Sequence, residues 1–295
     1  MGSGRGLAVS KISHSVRPSS QLGTHADSDA IENGEIHRLY ECGPRGASDH
    51  SIDVGPNVIL TRMANAPPSK NPQTTQNFLH FTMPVGLLQC NCSIIADPIT
   101  REALVLDPGD EIHRIMDLIG RHKLTVKAIV STHAHIDHVG GLKKLHDYTG
   151  APVLMHRDDV PLYQAMDVQA AFLGVEPPPL TEVHQFLREG DKLQWGNLQA
   201  QIIHTPGHTP GSSCIFLPAD SGKVTVAAPQ LFAGDTLFAG SIGRTDLWGG
   251  SMEKMMDSLV HKLLALPDDT VVYPGHGLTT TIGEERQNNP FLVAK

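Results

Sequence analysis

The hydrophobic pattern changes character near residue 77. Residues 1–76 are rich in Ser, Gly, Asn and Pro, hold no sustained helical or strand period, and run out in Ala66-Pro67-Pro68-Ser69. From Asn77 onward short apolar runs alternate with turn residues. They predict strands at 78–83, 92–96, 103–106, 126–130 and 152–155, and again at 192–195, 198–204, 213–217, 224–227, 231–233 and 270–273. Between them Ile112, Ile115, Met116 and Ile119 give 110–122 a helical stripe. Helices are also predicted at 139–148, at 158–173 before Pro177-Pro178-Pro179 breaks the chain, and at 252–266, where Met256, Leu259, Leu263 and Leu264 share a side. Strand-rich halves with helices between them predict an α/β fold of two sheets face to face, covered outside by helices. The expected domains are a disordered extension or leader over 1–76 and one globular domain over 77–295.

Composition narrows this reading. With 40% hydrophobic residues the chain can fill a sizeable core, and a net charge of −8 without any basic run argues against a nucleic-acid surface. The absence of an 18-residue apolar stretch predicts no membrane span. Cys90 and Cys92 sit two apart in an apolar run, which predicts core packing on one strand face; the spacing is not that of a C-x-x-C redox pair. Four irregularly spaced cysteines fit a reducing, cytoplasmic setting. The first 26 residues carry Arg5, Lys11 and Arg17 but no acid, so an organellar leader competes with a disordered tail and with a start at Met63. On the reading as a tail, residues 1–74 are removable by limited proteolysis without loss of activity.

Histidine is the outlier, at 17 residues, and the run Thr132-His133-Ala134-His135-Ile136-Asp137-His138 concentrates it. On a strand, alternation would split His138 from the other three ligand-type side chains. On a helix, His133 and Asp137 would align while His135 pointed away. A loop leaving the end of the preceding strand can aim all four at one centre. Later strand ends repeat the arrangement: His208 in Thr205-Pro206-Gly207-His208-Thr209-Pro210-Gly211, Asp235 after Leu231-Phe232-Ala233-Gly234, and His276 in Tyr273-Pro274-Gly275-His276-Gly277. Glycine permits close backbone approach, and proline stiffens the loops that aim the imidazoles. Five imidazoles and two carboxylates exceed the three protein ligands of one catalytic zinc site and suit two divalent ions. Without thiolates the set fits Zn2+ first, with Fe or Mn open.

His133-x-His135-x-Asp137-His138 followed by His208, Asp235 and His276 resembles the metallo-β-lactamase-fold hydrolases over roughly residues 78–292. The segments Gly234–Phe238, Gly240–Asp246 and Gly283–Phe291, with Asp107-Pro108-Gly109, look like the short glyoxalase II-like members. This resemblance implies an αββα sandwich with the metals at one edge. His133, His135 and His208 would hold one ion, Asp137, His138 and His276 the second, and Asp235 would bridge them. The implied reaction is attack of metal-activated water on the carbonyl of a small thioester such as S-lactoylglutathione. Asp137 would also orient the water or accept its proton. Arg244 would meet a substrate anion, a role with which an Arg244–Asp246 turn competes.

Several departures from the family pattern restrict the substrate. Only 19 residues follow His276, so the helical domain that supplies glutathione contacts in glyoxalase II proper is absent from this sequence. Asp246 and Gly277 stand where aromatics are usual. A mononuclear iron persulfide dioxygenase, a β-lactamase or other ester or lactone hydrolase, and a non-catalytic metal-binding scaffold therefore stay open beside the thioesterase. Asp107, at a strand end, is either a turn former or a partner to a ligand histidine. His204, four before His208, cannot form a helical zinc pair across Thr205-Pro206-Gly207. His113, His122, His146, His156, His184 and His261 fall in helical or edge patterns expected to be solvated.

Overall fold

The computed structural model describes residues 78–293 and the strand Ile59–Leu60; the expectations for the rest of 1–76 lie outside the described residues. All described residues fall in one compact unit, Val54–Lys295. One sheet holds seven strands in sequential order: β1 (Ile59–Leu60), β2 (Leu79–Val85), β3 (Cys90–Ala96), β4 (Glu102–Leu106), β5 (Thr125–Val130), β6 (Val153–His156) and β7 (Gln185–Leu187). Its first pairings are antiparallel and those from β4 to β7 parallel. The parallel crossovers carry α1 (Ile112–Arg121), then α2 (Ile136–Val139) and α3 (Leu142–Thr149), then α4 (Val160–Gln164) and α5 (Met166–Leu173). This connectivity requires long crossovers, and helices supply them.

The second sheet is built from β8 (Lys192–Trp195), β9 (Leu198–His204), β10 (Ser213–Leu217), β13 (Gln230–Gly234), β16 (Val271–Pro274) and β17 (Thr280–Thr281), which adjoin in the order β17-β16-β13-β10-β9-β8. Two small ribbons pair β11 (Asp220–Ser221) with β12 (Val224–Thr225) and β14 (Leu237–Phe238) with β15 (Ser241–Ile242). Helix α6 (Met252–Asp257) follows β15, and α7 (Ile282–Asn288) and α8 (Pro290–Val293) close the described chain.

Period-2 alternation assigns the layers. On β4 and β5, Leu104, Leu106, Ala128 and Val130 face inward to meet Trp195, Ile202, Ile215 and Phe232 of the opposite sheet. Val105 and Ile129 face outward, where Ile115, Ile119, Leu142 and Leu145 of the helices cover them. On the other outer face Leu231, Ala233 and Ile203 lie under Met255, Leu259, Leu263 and Ile282. Two sheets with helices on both outer faces form the αββα sandwich. Fully burying one such Leu or Ile side chain contributes roughly 1.5–3 kcal/mol.

Some elements differ from the sequence reading. The 158–173 stretch is a 3-10 turn over Arg157–Asp159 followed by two helices that part at Ala165, where Leu162 O accepts from both Ala165 N at 3.2 Å and the Gln169 side-chain amide at 2.9 Å. The 252–266 helix turns into a π segment over Ser258–Leu263, in which Leu264 N donates to Leu259 O and Ser258 Oγ reaches Pro206 O at 2.8 Å. The 224–227 strand is assigned over two residues only, Val224–Thr225, and Val226 N extends the same hairpin register by donating to Ala219 O. β7, α7 and the short ribbons lack any pattern long enough to read. No helix among the described residues is long and apolar enough to cross a membrane.

Topology decides where the ligand-type loops emerge. β4 and β5 are parallel. β9 and β13 both run antiparallel to β10, and β13 runs parallel to β16, so these three share a direction. Asp107, the 131–138 loop, the 205–212 loop, Asp235 and His276 each follow the C-terminal end of one of these strands. Cross-sheet hydrogen bonds join the two edges: Ser213 N donates to Thr132 O at 2.8 Å and Asn91 N to Gly275 O at 2.7 Å.

Candidate metal centre

The structure brings all seven sequence-predicted ligand residues together. His135 Nδ1 lies 3.1 Å from His133 Nε2 and 2.9 Å from His208 Nε2. Three nitrogens at this spacing match the separation of ligands around one tetrahedral ion. Asp137 Oδ2 lies 3.1 Å from His276 Nε2 and 3.6 Å from His138 Nε2, which forms a second cluster. Asp235 sits between the two: Oδ1 is 3.5 Å from His138 Nε2, and Oδ2 is 3.6 Å from His208 Nε2 and 3.7 Å from His276 Nε2. The triads His133/His135/His208, His133/His138/Asp235 and Asp137/His138/His276 each have the geometry to hold an ion. Fit to cations rests on two inward atoms, His138 Nε2 and Asp235 Oδ1, which are buried without a hydrogen-bond partner. Buried polar atoms are costly unless paired or ligating.

Local structure departs from the loop expectation at one point. His133 and His135 lie in extended backbone, but Asp137 and His138 belong to the one-turn helix α2, with His135 as its N-cap. A short helix here turns two adjacent side chains inward, which a strand cannot do.

Hydrogen bonds on the far side of three of the rings orient them. His138 Nδ1 donates to Asp107 Oδ2 at 3.1 Å, which leaves Nε2 for the centre. The same carboxylate accepts from Thr132 N at 2.8 Å and Thr132 Oγ1 at 2.7 Å. Asp107 is thus a partner of a ligand histidine. His208 Nδ1 donates to Arg244 O at 2.7 Å, and Thr132 Oγ1 lies 3.1 Å from His133 Nδ1. Cys90 is core-packed as expected, yet its Sγ also lies 3.4 Å from His138 Nδ1; burial pushes the thiol up to about 12. That keeps it a neutral neighbour of the ring.

The electrostatics differ between the two clusters. Burial, helped by the neighbouring imidazoles, holds His133 well below the usual histidine range and brings His135 down to about 3. Burial opposes protonation of His138 too, but the Asp137, Asp235 and Asp107 carboxylates outweigh it and raise the ring well above its ordinary value. His276 is raised in the same way, burial being overcome by Asp235 and Asp137. Asp137 is lowered: burial alone would raise it, but His138 and His276 hold it ionised.

Sequence reasoning missed two buried side chains that build the loops. Asp159 accepts from Ala134 N at 2.9 Å, Thr209 Oγ1 at 2.8 Å and Gly211 N at 2.5 Å, and so ties the His133 loop to the His208 loop. Gln169 accepts from Ile136 N at 2.9 Å and donates to Ala134 O at 3.1 Å, bracketing His135. A carboxylate just past the end of β6 was the available signal for the first; nothing marked the second. His204 stays outside the centre. Its Nε2 contacts Pro210 O at 2.9 Å and its ring stacks on His156 at 3.9 Å, so His156 is half-buried and paired, not solvated. His146 and His184 likewise meet Ala151 O and Val153 N. Arg244 makes the competing contact: Nε and Nη2 each reach an Asp246 oxygen at 2.8 Å.

This fold and ligand order place the chain in a known group. Residues 85–276 match the model of the metallo-beta-lactamase superfamily, and the chain belongs to that family. Among its relatives is the hydroxyacylglutathione hydrolase GloC of Haemophilus influenzae, 36% identical over 220 residues that cover 72% of this chain and 97% of that one. The similarity agrees with the glyoxalase II-like subgroup. Among solved structures, the B3 metallo-beta-lactamase BLEG-1 aligns with a TM-score of 0.67 at 33% identity, covering 73% of this chain and all of that one. TTHA1623, solved in a di-iron-bound form, aligns with a TM-score of 0.63 at 38% identity, covering 72% of this chain and all of the other.

Proposed function

We propose that this protein is a dinuclear metal-dependent hydrolase that cleaves a small thioester, S-lactoylglutathione being the model substrate. The observation that carries the reading is the convergence of five imidazoles and two carboxylates into two clusters joined by Asp235. His133, His135 and His208 would hold one ion, Asp137, His138 and His276 the other, with Asp235 common to both. The donor set favours Zn2+; the likeness to a protein solved with two irons keeps iron beside it. When bound, two cations supply Lewis acidity that lowers the pKa of water and polarises a carbonyl.

The chain's own residues do the rest. Asp137, ionised and 3.1 Å from His276 Nε2, would accept a hydrogen bond from the attacking water and orient it. Asp107 and the Arg244 carbonyl fix two rings so that their inward nitrogens need not reorient during turnover. The Arg244 side chain lies on the same loop and would contact the substrate's polar end. Because Asp246 matches its charge, a neutral carbonyl suits this pair better than a bare carboxylate. The test is thioester hydrolysis by His135→Ala and Asp235→Ala, each of which should lose at least ~100-fold in kcat while remaining folded. Residual activity of a few per cent or more would contradict the assignment. The likeness to BLEG-1 favours β-lactam hydrolysis as a second reading, which turnover of a chromogenic cephalosporin would report.

A further inference from the structure

Phe172 and Trp248 form an exposed aromatic pair that the reaction above does not use. Phe172 and Trp248 are 66% and 44% exposed, and their rings meet edge to face with centroids 5.8 Å apart. Large rings left in water cost free energy unless something covers them for part of the protein's working cycle.

Each ring is tied to one of the loops that supply the His133/His135/His208 cluster. Phe172 lies one helical turn beyond Gln169 on α5, and Gln169 holds the backbone on both sides of His135. Trp248 is four residues beyond Arg244, whose carbonyl holds His208. The adjoining Gly249 abuts Pro210 so closely that a Cβ there would lie 2.7 Å from the proline Cγ. His135 Nδ1 and His208 Nε2 are themselves 2.9 Å apart, so the aromatic contact is a second link between the segments that carry these two histidines. Val168, one helical turn before Phe172, and Met252, four residues after Trp248, are also about half exposed, and the Arg244 charge is matched by Asp246.

We propose that Phe172 and Trp248 form a specificity wall that receives an aromatic or branched-alkyl substituent of the substrate while its carbonyl sits at the metals. The inference rests on the hydrolase reading and narrows its substrate class. Neither ring touches the reacting atoms, so both determine specificity and neither is a catalytic residue. The substituent can belong to the acyl group or to the leaving thiol, since both present the same apolar surface.

Two measurements on the metal-loaded, full-length protein test this. In the first, kcat/KM is compared for acetyl and phenylacetyl thioesters of one thiol, and for acetyl thioesters of glutathione and benzyl mercaptan. The ring-bearing member of at least one pair should be preferred by roughly tenfold or more, and Phe172→Ala or Trp248→Ala should bring that ratio close to one. Ratios unchanged by both variants would overturn the wall. The second measurement is direct binding: a non-hydrolysable benzyl thioether should change the Trp248 fluorescence, with Trp248→Phe supplying the background from buried Trp195, and Phe172→Ala should weaken the titration. Binding that depends on Phe172 without turnover of any thioester would sink the hydrolase reading and leave the wall standing. Turnover with no fluorescence response would sink the wall alone.

Discussion

Asp107 and His138 stand 31 residues apart in sequence, yet Asp107 Oδ2 accepts the His138 Nδ1 hydrogen at 3.1 Å with both side chains buried. The contact selects the imidazole tautomer that turns Nε2 toward Asp137 and Asp235. Since Thr132 N and Oγ1 bond the same carboxylate, Asp107 also fixes the start of the His133 loop. Asp107→Asn keeps the shape but can present an amide hydrogen to the ring. It is expected to weaken the second ion by about 10–100-fold, read by competitive chelator titration, while the first ion stays bound. Equal weakening of both ions would show that Asp107 supports the loop and not the ring.

Gly275 precedes His276 at the end of β16, where a Cβ would fall on Asp235 Oδ1 and 2.8 Å from His138 Cε1. The residue is glycine because two ligand side chains occupy the space that any other side chain would need. Gly275→Ala should therefore displace Asp235 and lower hydrolysis by at least about tenfold with little change in far-UV circular dichroism. Wild-type activity in this variant would mean that Asp235 does not need its observed position.

The two clusters should lose metal at different pH. His133 and His135 are held below the ordinary histidine range, so at neutral pH an ion entering their cluster displaces no proton from them. His138 and His276 are raised, so they hold their protons to higher pH than an ordinary histidine and an ion must compete with those protons. Affinity at the second cluster should fall by about tenfold per pH unit for each proton displaced as pH drops through the raised values. Metal content after dialysis at stepwise lower pH should show the second ion leaving first. Simultaneous loss of both, or earlier loss from the His133 cluster, would contradict this order.

Much of the centre was legible because its ligand-type residues follow strand ends: the 133–138 run is dense in imidazole and carboxylate, and the three later segments each place glycine or proline beside His208, Asp235 or His276. The strands β4 and β13 were legible as apolar runs, but which of their faces turns inward was not, since a strand buried on both sides shows no alternation. What escaped was built by long-range hydrogen bonding. Asp159 carries no local pattern that says which two loops it joins, and the role of Gln169 depends on a helix break, where its amide bonds Leu162 O. The helical turn holding Asp137 and His138 is too short for periodicity to reveal. The Arg244–Asp246 pair could be read either way in sequence because turn geometry, not residue type, decides where the guanidinium points.

The most direct test of the account is the metal content of the purified full-length protein, measured by elemental analysis beside thioester turnover. Two ions per chain are expected, falling to one or fewer in Asp235→Ala and in His276→Ala together with loss of hydrolysis. A single ion per chain in the fully active protein, or two ions undiminished in Asp235→Ala, would contradict a centre in which Asp235 joins two metal sites.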